Sequence, residues 1–175
     1  MELDFINAHP EKPVIISRNW PGLQYEDIKR EDGSHIGKAD YNKLMVEEMT
    51  SFYNDANHGQ NFYIIGSTPR SSSVMFECLA KADLPINKLI NIFDCSNTRQ
   101  RVNTAADEAL KNFAGKYAKV KFIDTYPFLC NHTECTLIKD GIPIYTDTSH
   151  LSITGAEIVG KGVFNEIRRD TNLHK

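Results

Sequence analysis

Asp147 and His150 stand three residues apart in the segment Tyr145–Ser152. At this spacing in a tight loop, a carboxylate can accept the Nδ1 proton of the imidazole, which leaves Nε2 free as a base toward a serine hydroxyl. The competing interpretation is a turn shaped by the Asp, with the His as a partly buried capping group. Asp-x-x-His alone is common, so its context has to decide between the two.

Two serines are candidate nucleophiles for such a base. Ser34 lies in Asp32–His35, which follows charged residues and not the strand that a nucleophile elbow requires, so this segment predicts a polar turn. Ser71 begins the run Ser71–Ser73 after a predicted strand, near the sheet edge where open α/β proteins place their sites. Capping of the following helix, with Arg70 as an anion partner, is the alternative role for that run.

A metal site is a further alternative for the cysteine and histidine residues near the end of the chain. Cys130, His132 and Cys135, with His150 as a fourth ligand, are close enough in sequence to bind zinc. Their C-x-H-x-x-C spacing is not a usual structural zinc pattern, and a loop disulfide suits the two cysteines at least as well. We therefore expect no metal. The other two cysteines, at positions 78 and 95, form either a pair or buried thiols.

Strands alternate with helices, which predicts a parallel sheet covered by helices on both faces, a three-layer α/β/α fold. We expect one domain over residues 1–175, although three strands make a thin sheet. The predicted strands are Pro13–Ser17 and Phe62–Ile65, both buried on both faces, and Val120–Asp124. The predicted helices are Tyr41–Ala56, Val74–Ala82, Thr98–Phe113 and Gly155–Arg168, the last with a capping box at Thr154–Glu157. Residues Cys130–Thr146 are expected to form an irregular excursion with a tight turn at Lys139–Gly141.

Composition and charge exclude several classes of function. The formal net charge is −3 and no basic stripe is present, so we expect no nucleic-acid partner. The longest apolar runs are strand-sized, far short of a membrane helix, and the first ten residues lack the features of a signal peptide. The loop Gly66–Pro69 lacks the glycine spacing of a phosphate cradle, which leaves little support for a flavodoxin-like phosphate-binding module.

Several blocks of the sequence occur together in the order of one known family. The last third of the chain resembles the C-terminal block of the SGNH domains fused to integral-membrane acyltransferases. The matching residues are Phe122–Cys130, Cys135, Asp140–Tyr145 and Asp147–Ala156. These are similar to the O-acetyltransferases that modify bacterial surface polysaccharides such as the O-antigen. The resemblance extends upstream over two further blocks, Pro13–Trp20 and Phe62–Pro69, and so covers roughly the whole chain.

The resemblance implies an SGNH (flavodoxin-like) hydrolase fold in which Asp147 is the orienting acid and His150 the general base. It also implies a disulfide between Cys130 and Cys135, and with it a periplasmic or extracytoplasmic setting. For the oxyanion and substrate region it implies the loop after the first strand, where Asn19 is the candidate amide and Arg18 an alternative donor. Trp20 in the same loop is expected at the rim or in the core, with an aromatic ring beside a sugar site as the alternative role.

The family's nucleophile is the Ser of a Gly-Asp-Ser motif upstream of the strand that matches Val14–Ser17. No serine precedes Val14 here. The resemblance therefore predicts an N-terminally incomplete domain, the C-terminal portion of an SGNH-like fold, with a membrane acyltransferase domain upstream. The isolated chain is then expected to be inactive.

The implied function is acyl transfer, the O-acetylation or deacetylation of a bacterial surface carbohydrate by a Ser-His-Asp triad. The partners are then an acyl donor and a carbohydrate acceptor, and no cofactor is expected. The alternative is a non-catalytic, truncated or degenerate SGNH-like module that binds a glycan or a partner subunit.

Overall fold

The computed structural model of the protein describes residues 2–20, 28–30, 32–56, 59–90, 95–102 and 104–173. Its elements in chain order are α1 (Glu2–Ala8), β1 (Val14–Ser17), α2 (Lys38–Asp55), β2 (Phe62–Ile65), α3 (Met75–Ala82), α4 (Pro85–Ile90), β3 (Thr98–Gln100), α5 (Ala105–Ala114), β4 (Val120–Ile123), α6 (Tyr126–Leu129), β5 (Glu134–Thr136), β6 (Ile138–Lys139), β7 (Ile142–Pro143) and α7 (Ile153–Leu173). The chain divides into two compact units, Met1–Ser67 with Asn103–Asp124 and Thr68–Val102 with Thr125–Lys175. The expectation of a single domain stays a prediction.

The first unit contains a parallel sheet in the order β1-β2-β4. Val14 pairs with Phe62, and Phe62 pairs with Val120 on the other side. Parallel neighbours need a crossover connection, and α2 supplies the one between β1 and β2. All four residues of β2 are buried, as their continuous apolar run predicts for a central strand. The predicted mixed α/β fold with a short parallel sheet is confirmed.

The core of the first unit lies where α2 and α5 pack beside the sheet. Phe62, Leu110 and Phe113 are almost completely buried there. The rings of Tyr53 and Phe62 meet edge to face, with centroids 5.1 Å apart, a favoured aromatic geometry. The helical spacing of apolar residues predicted α2 from Tyr41, and the observed helix begins three residues earlier, at Lys38.

The predicted helix Thr98–Phe113 is wrong over its first part. Residues 98–100 form β3, and α5 begins only at Ala105. The Thr104 side chain caps that helix, with its Oγ1 accepting a hydrogen bond from the backbone N–H of Asp107 at 3.1 Å. The sequence Thr-x-x-Asp at 104–107 is a recognised start signal, which the longer apolar periodicity obscured.

The expectation that β1 is buried on both faces is also wrong. Its four residues alternate between half-buried and exposed, and Ile15 is 47% exposed. The reason is its position, because β1 is an edge strand of the sheet among the described residues. A run of β-branched residues indicates a strand, but the sheet order decides which of its surfaces is covered.

In the second unit, α7 packs by the apolar face on which its spacing places Ala156, Val159, Val163 and Ile167. The last three are buried, whereas Ala156 is exposed. Its start differs from the predicted capping box at Thr154–Glu157. Ser152 caps the helix instead, since its Oγ accepts a hydrogen bond from the N–H of Gly155 at 3.2 Å. Within the described residues, no helix combines the length and apolar character that crossing a membrane requires.

The predicted irregular excursion Cys130–Thr146 contains more strand than expected. β5 pairs antiparallel with β3, and β6 and β7 form a hairpin. The predicted tight turn is confirmed within this hairpin. Asp140 and Gly141 form its two-residue loop with φ values of 51° and 76°, the conformation for which Asp-Gly is favoured.

Candidate active site

The loop between β7 and α7 is closed at its base by backbone pairing. Tyr145 and Leu151 form an isolated antiparallel bridge, and the N–H of Thr146 donates to the carbonyl of His150 at 2.8 Å. Tyr145 is completely buried and anchors the start of the loop. Burial, followed by the nearby Tyr126, raises the pKa of the Tyr145 phenol above its usual value. The loop is thereby held at both ends while its tip remains at the surface.

Asp147 organises the tip of the loop through both carboxylate oxygens. Oδ1 accepts the backbone N–H of Ser149 at 2.7 Å and that of His150 at 2.8 Å. Oδ2 lies 2.6 Å from Nδ1 of the His150 ring. The backbone N–H of His150, that of Ser149 and then the imidazole hold the pKa of Asp147 well below its usual range. Asp147 is therefore ionised at neutral pH.

This contact fixes how the imidazole of His150 is used. An ionised carboxylate only accepts hydrogen bonds, so Nδ1 carries the proton that is shared with Oδ2 of Asp147. The neutral ring then presents an unprotonated Nε2, which is the acceptor that a general base needs. The His150 side chain is 76% exposed, so Nε2 can be reached from outside the loop. The pair can take a proton from a hydroxyl and return it.

Ser71 lies beside this loop, but its hydroxyl is engaged elsewhere. The backbone N–H of Ser71 donates to the carbonyl of Thr148 at 3.0 Å, which ties residues 68–73 to the loop. Its Oγ is buried, donates to the carbonyl of Ser73 at 2.5 Å and accepts the Ser73 N–H at 3.3 Å. These contacts support a turn-forming role for Ser71.

Ser34, the other candidate nucleophile, lies in the first unit within the predicted polar turn. Its backbone N–H and its hydroxyl both donate to Oδ1 of Asp32, at 2.8 and 2.6 Å. Gly33 between them has a φ of 82°, a conformation that glycine adopts without strain. The Asp-Gly-Ser sequence is thus explained by the geometry of the turn.

The predicted oxyanion and substrate residues follow the carboxyl end of β1. Arg18 and Asn19 are exposed there, at the sheet edge where α/β proteins place their ligands. Trp20 is only 3% exposed, and its Nε1 donates to the carbonyl of Ile65 at 2.7 Å. Trp20 is therefore a core residue whose single side-chain donor is already in use.

Both cysteine pairs are disulfides. Cys130 and Cys135 are bonded as the family resemblance implied, across a loop in which Asn131 Oδ1 accepts two backbone N–H groups. Cys78 is bonded to Cys95, which answers the question that the sequence left open. The bonded sulfurs of the first pair are not available as thiolate ligands for zinc. Among the described residues, no three His, Cys, Asp or Glu side chains converge as a metal site would require.

Two contacts that support the loop were not foreseen from the sequence. The Oγ of Ser152 donates to the carbonyl of Pro143 at 2.7 Å while it caps α7, so one hydroxyl joins the hairpin, the loop end and the helix. The second is the bond between Ser71 and Thr148. A cap signal at Ser152 was available in the sequence, whereas the second contact joins residues 77 positions apart and has no local signature.

The family comparison agrees with this fold. The family model described as "SGNH domain (fused to AT3 domains)" matches residues 2–163. The chain therefore belongs to the SGNH domains of the kind that is found fused to AT3 domains.

Solved structures with a similar fold include the periplasmic domain of a lipopolysaccharide acetyltransferase from Salmonella ser. Paratyphi A. The TM-score is 0.64 at 17% identity, and the alignment covers 94% of this chain and 60% of that domain. A Streptococcus pneumonia protein, provisionally described as a platelet activating factor, matches with a TM-score of 0.43 at 16% identity. That alignment covers 73% of this chain and 50% of that one. No protein with a curated description matches the sequence significantly. This chain thus spans about 60% of the length of the solved Salmonella domain that it resembles.

Proposed function

We propose that this chain supplies the acid–base pair of an SGNH-type acyl transfer that acetylates or deacetylates a bacterial surface carbohydrate. The single observation that carries the proposal is the 2.6 Å contact between Asp147 Oδ2 and His150 Nδ1, in a member of the SGNH family. The structurally similar Salmonella domain is part of a lipopolysaccharide acetyltransferase, which supports acetyl as the acyl group.

In the proposed reaction, Nε2 of His150 removes the proton of a serine hydroxyl as its oxygen attacks the acyl carbonyl of the donor. The imidazolium that forms is stabilised by ionised Asp147, and its proton passes to the leaving group of the donor. The acyl-serine then reacts with a carbohydrate hydroxyl, or with water, whose proton is again taken by Nε2. When the acyl bond to serine breaks, that proton returns to the serine oxygen.

The nucleophilic serine is proposed to come from polypeptide outside these 175 residues. The hydroxyls of Ser34 and Ser71 support this, because each is engaged in a local turn. The chain by itself is therefore expected to be inactive as an acyltransferase. Arg18 and Asn19 are proposed as polar contacts for the substrate or the oxyanion.

The proposed setting is extracytoplasmic, next to a membrane acyltransferase domain. Its support is threefold: the family is one found fused to AT3 domains, the similar Salmonella domain is periplasmic, and the described cysteines are disulfide-bonded. Disulfides persist in oxidising compartments and are rare in the cytosol. The acyl donor and the carbohydrate acceptor are the other proposed partners.

The test introduces substitutions into the full protein that contains this sequence, in its own host. The O-acetyl content of the surface polysaccharide from that host is then measured. We expect His150→Ala to remove the acetyl signal in proton NMR spectra of the purified polysaccharide. His132→Ala is the matched control, since His132 is an exposed histidine in the Cys130–Cys135 loop. Unchanged acetylation in a folded His150→Ala protein would contradict the proposal.

The second candidate function is a non-catalytic module that binds a glycan or a partner subunit. The observation that favours it is that neither Ser34 nor Ser71 offers a free hydroxyl to His150. Labelling of the purified chain with a fluorophosphonate probe separates the possibilities for the chain alone. An adduct on Ser34 or Ser71 that His150→Ala abolishes would establish a triad within this chain and contradict both the outside serine and the non-catalytic module.

A further inference from the structure

A single peptide group connects the guanidinium of Arg99 to the loop between β7 and α7. The carbonyl of Arg70 accepts a hydrogen bond from Nη1 of Arg99. The N–H at the other end of the same peptide bond, that of Ser71, donates to the carbonyl of Thr148 at 3.0 Å. Thr148 lies at the tip of the loop, between the acid and the base of the candidate pair. Because the peptide group is planar and rigid, it holds the guanidinium one peptide group away from the loop tip.

Arg101, directly after β3, lies on the same side of the strand as Arg99. Side chains two residues apart along an extended chain point to the same face, and the N–H of Arg101 continues the pairing of β3 by donating to the carbonyl of Thr133 at 2.8 Å. The Arg101 guanidinium lies over the ring of Tyr126, 5.2 Å from its centroid. Burial raises the pKa of the Tyr145 phenol, and Tyr126 and Arg99 lie close enough to affect it. Both guanidiniums are therefore near the base of the loop.

Positive charge predominates in the three segments that meet here, residues 68–73, 98–101 and 145–150. They contain the arginines Arg70, Arg99 and Arg101 but a single carboxylate, that of Asp147, which is already paired with His150. Among the residues that the structure describes, no carboxylate pairs with Arg99, and its bond to a carbonyl uses only one of its several N–H donors. A guanidinium with donors to spare is a favoured partner for an oxyanion.

The chemistry and position of this arginine cluster select a ligand. A carboxylate presents two coplanar oxygens that match one edge of a guanidinium, whereas a neutral sugar leaves the positive charge without a counterpart. The exposed Nε2 of His150 can be reached from outside the loop. A carbohydrate chain can therefore place a hydroxyl at Nε2 while the carboxylate of the same or a neighbouring sugar reaches the arginines.

We propose that Arg70, Arg99 and Arg101 form an anion subsite that binds a carboxylate group of the carbohydrate acceptor, so that the acceptor is an acidic polysaccharide. Arg99 determines the specificity, and the other two arginines strengthen the positive potential around it. The inference rests on the proposed function for the role of the ligand as acceptor, and it adds the class of sugar. The subsite binds and orients the acceptor and takes part in no bond-making step.

The probe is α-1,4-linked trigalacturonate, titrated into the full, isotope-labelled chain at low ionic strength and followed by NMR. Its carboxyl-reduced form, α-1,4-galactotriose, is the neutral comparison. We expect the acidic trisaccharide to shift the side-chain Nε–H signal of Arg99 and the backbone signals of residues 146–150. It should bind at least about tenfold more tightly than the neutral one. Salt at about 1 M should remove most of this preference, because it screens the exposed charges.

Two variants separate binding of the ligand from support of the loop. Arg70→Gln keeps the backbone carbonyl that holds Arg99 and removes only a side-chain charge, so it should weaken trigalacturonate binding by about threefold. Arg99→Lys keeps the charge but loses the planar fork, and it should weaken that binding by about tenfold. Neither should change the affinity for galactotriose. Arg168→Gln is the matched control, since this exposed arginine of α7 lies roughly 22 Å along the helix from its first residue.

The binding measurement needs no acyl donor, so its result is independent of catalysis. A preference for the acidic trisaccharide in a chain whose His150 proves dispensable for acetylation would support the subsite and contradict only the proposed function. Equal affinity for the two trisaccharides, no binding of either, or a preference that Arg70→Gln and Arg99→Lys leave unchanged would overturn the subsite. Binding of pyrophosphate at these arginines without binding of trigalacturonate would assign the anion to the acyl donor and overturn the assignment to the acceptor.

Discussion

Gly162 of α7 lies directly against the ring of Phe128 in α6. A Cβ built on Gly162 would be 2.6 Å from Cδ1 of that ring, closer than real Cβ contacts come. The absence of a side chain at position 162 therefore allows α6 and α7 to pack closely. Since α7 begins immediately after the loop of Asp147 and His150, this contact helps to fix the base of the candidate site.

Gly162→Ala should lower the free energy of unfolding by about 1–3 kcal/mol, the usual cost of forcing a methyl group into a packed contact. Gly160→Ala in the same helix is the matched control, because a Cβ there meets nothing within 4 Å. The control should gain about 0.5–1 kcal/mol, since alanine is the better helix former. Urea unfolding measures both variants. Equal effects at the two positions would contradict the close approach of Phe128.

Ser152→Ala should lower the free energy of unfolding by about 1–2 kcal/mol, because the hydroxyl caps α7 and also donates to the buried carbonyl of Pro143. Thr154→Ala, at the start of the capping box predicted from sequence, should change it by no more than about 0.5 kcal/mol. Thermal or urea unfolding compares the two. A larger loss for Thr154→Ala would show that the helix is capped at that residue.

In the proposed acyl transfer by the full protein, Asp147→Asn should lower kcat by about 10³–10⁴-fold with little change in KM. The amide keeps an oxygen for the N–H groups of Ser149 and His150, so the loop stays folded, but it cannot stabilise the imidazolium. Asp140→Asn is the matched control, an exposed residue in a turn where asparagine is equally at home. Rates of acetyl transfer measured at several acceptor concentrations test this. Equal rates in the two variants would remove Asp147 from the mechanism.

Acid should weaken the fold through Asp147. Its pKa is lower in the folded chain than its ordinary value of 3.8, so the folded state favours the ionised form. The resulting stability is fully present above about pH 4, and it is lost as the pH falls from there toward the folded pKa. The free energy of unfolding of wild type minus that of Asp147→Asn should shrink as the pH falls below 4. A difference that stays unchanged or grows below pH 4 would contradict this assignment.

The local parts of the candidate site could be predicted from sequence. Asp147 and His150 are three residues apart, so the chain between them brings the side chains together without help from distant segments. The Asp-Gly turn at 140–141 is likewise encoded by residues that accept positive φ. The buried strand β2 and the apolar face of α7 follow from continuous and helical apolar patterns.

The helix predicted from Thr98 was wrong over its start, because residues 98–100 carry no apolar side chains that could set a period and they pair as β3 with β5. That pairing joins Arg99 to Cys135, and helical periodicity carries no information about such a partner. The cap at Ser152 was missed for a related reason. The sequence contains two overlapping helix-start signals, one at Ser152 and one at Thr154. The hydrogen bond from Ser152 to the carbonyl of Pro143 favours the start at Ser152.

The sequence by itself therefore determined several of the elements, among them β2 and α7, the proximity of Asp147 and His150 and, through family resemblance, the bonded Cys130–Cys135 loop. Only the tertiary structure decided that β1 is an edge strand with Ile15 exposed. It also decided that the indole N–H of Trp20 donates to a carbonyl in the core and that the backbone N–H of Ser71 donates to the carbonyl of Thr148. The physical reason is the distance along the chain over which each effect acts. Local backbone preferences and short spacings act between neighbouring residues, whereas sheet order and the partner of a given N–H depend on which distant segments fold against each other.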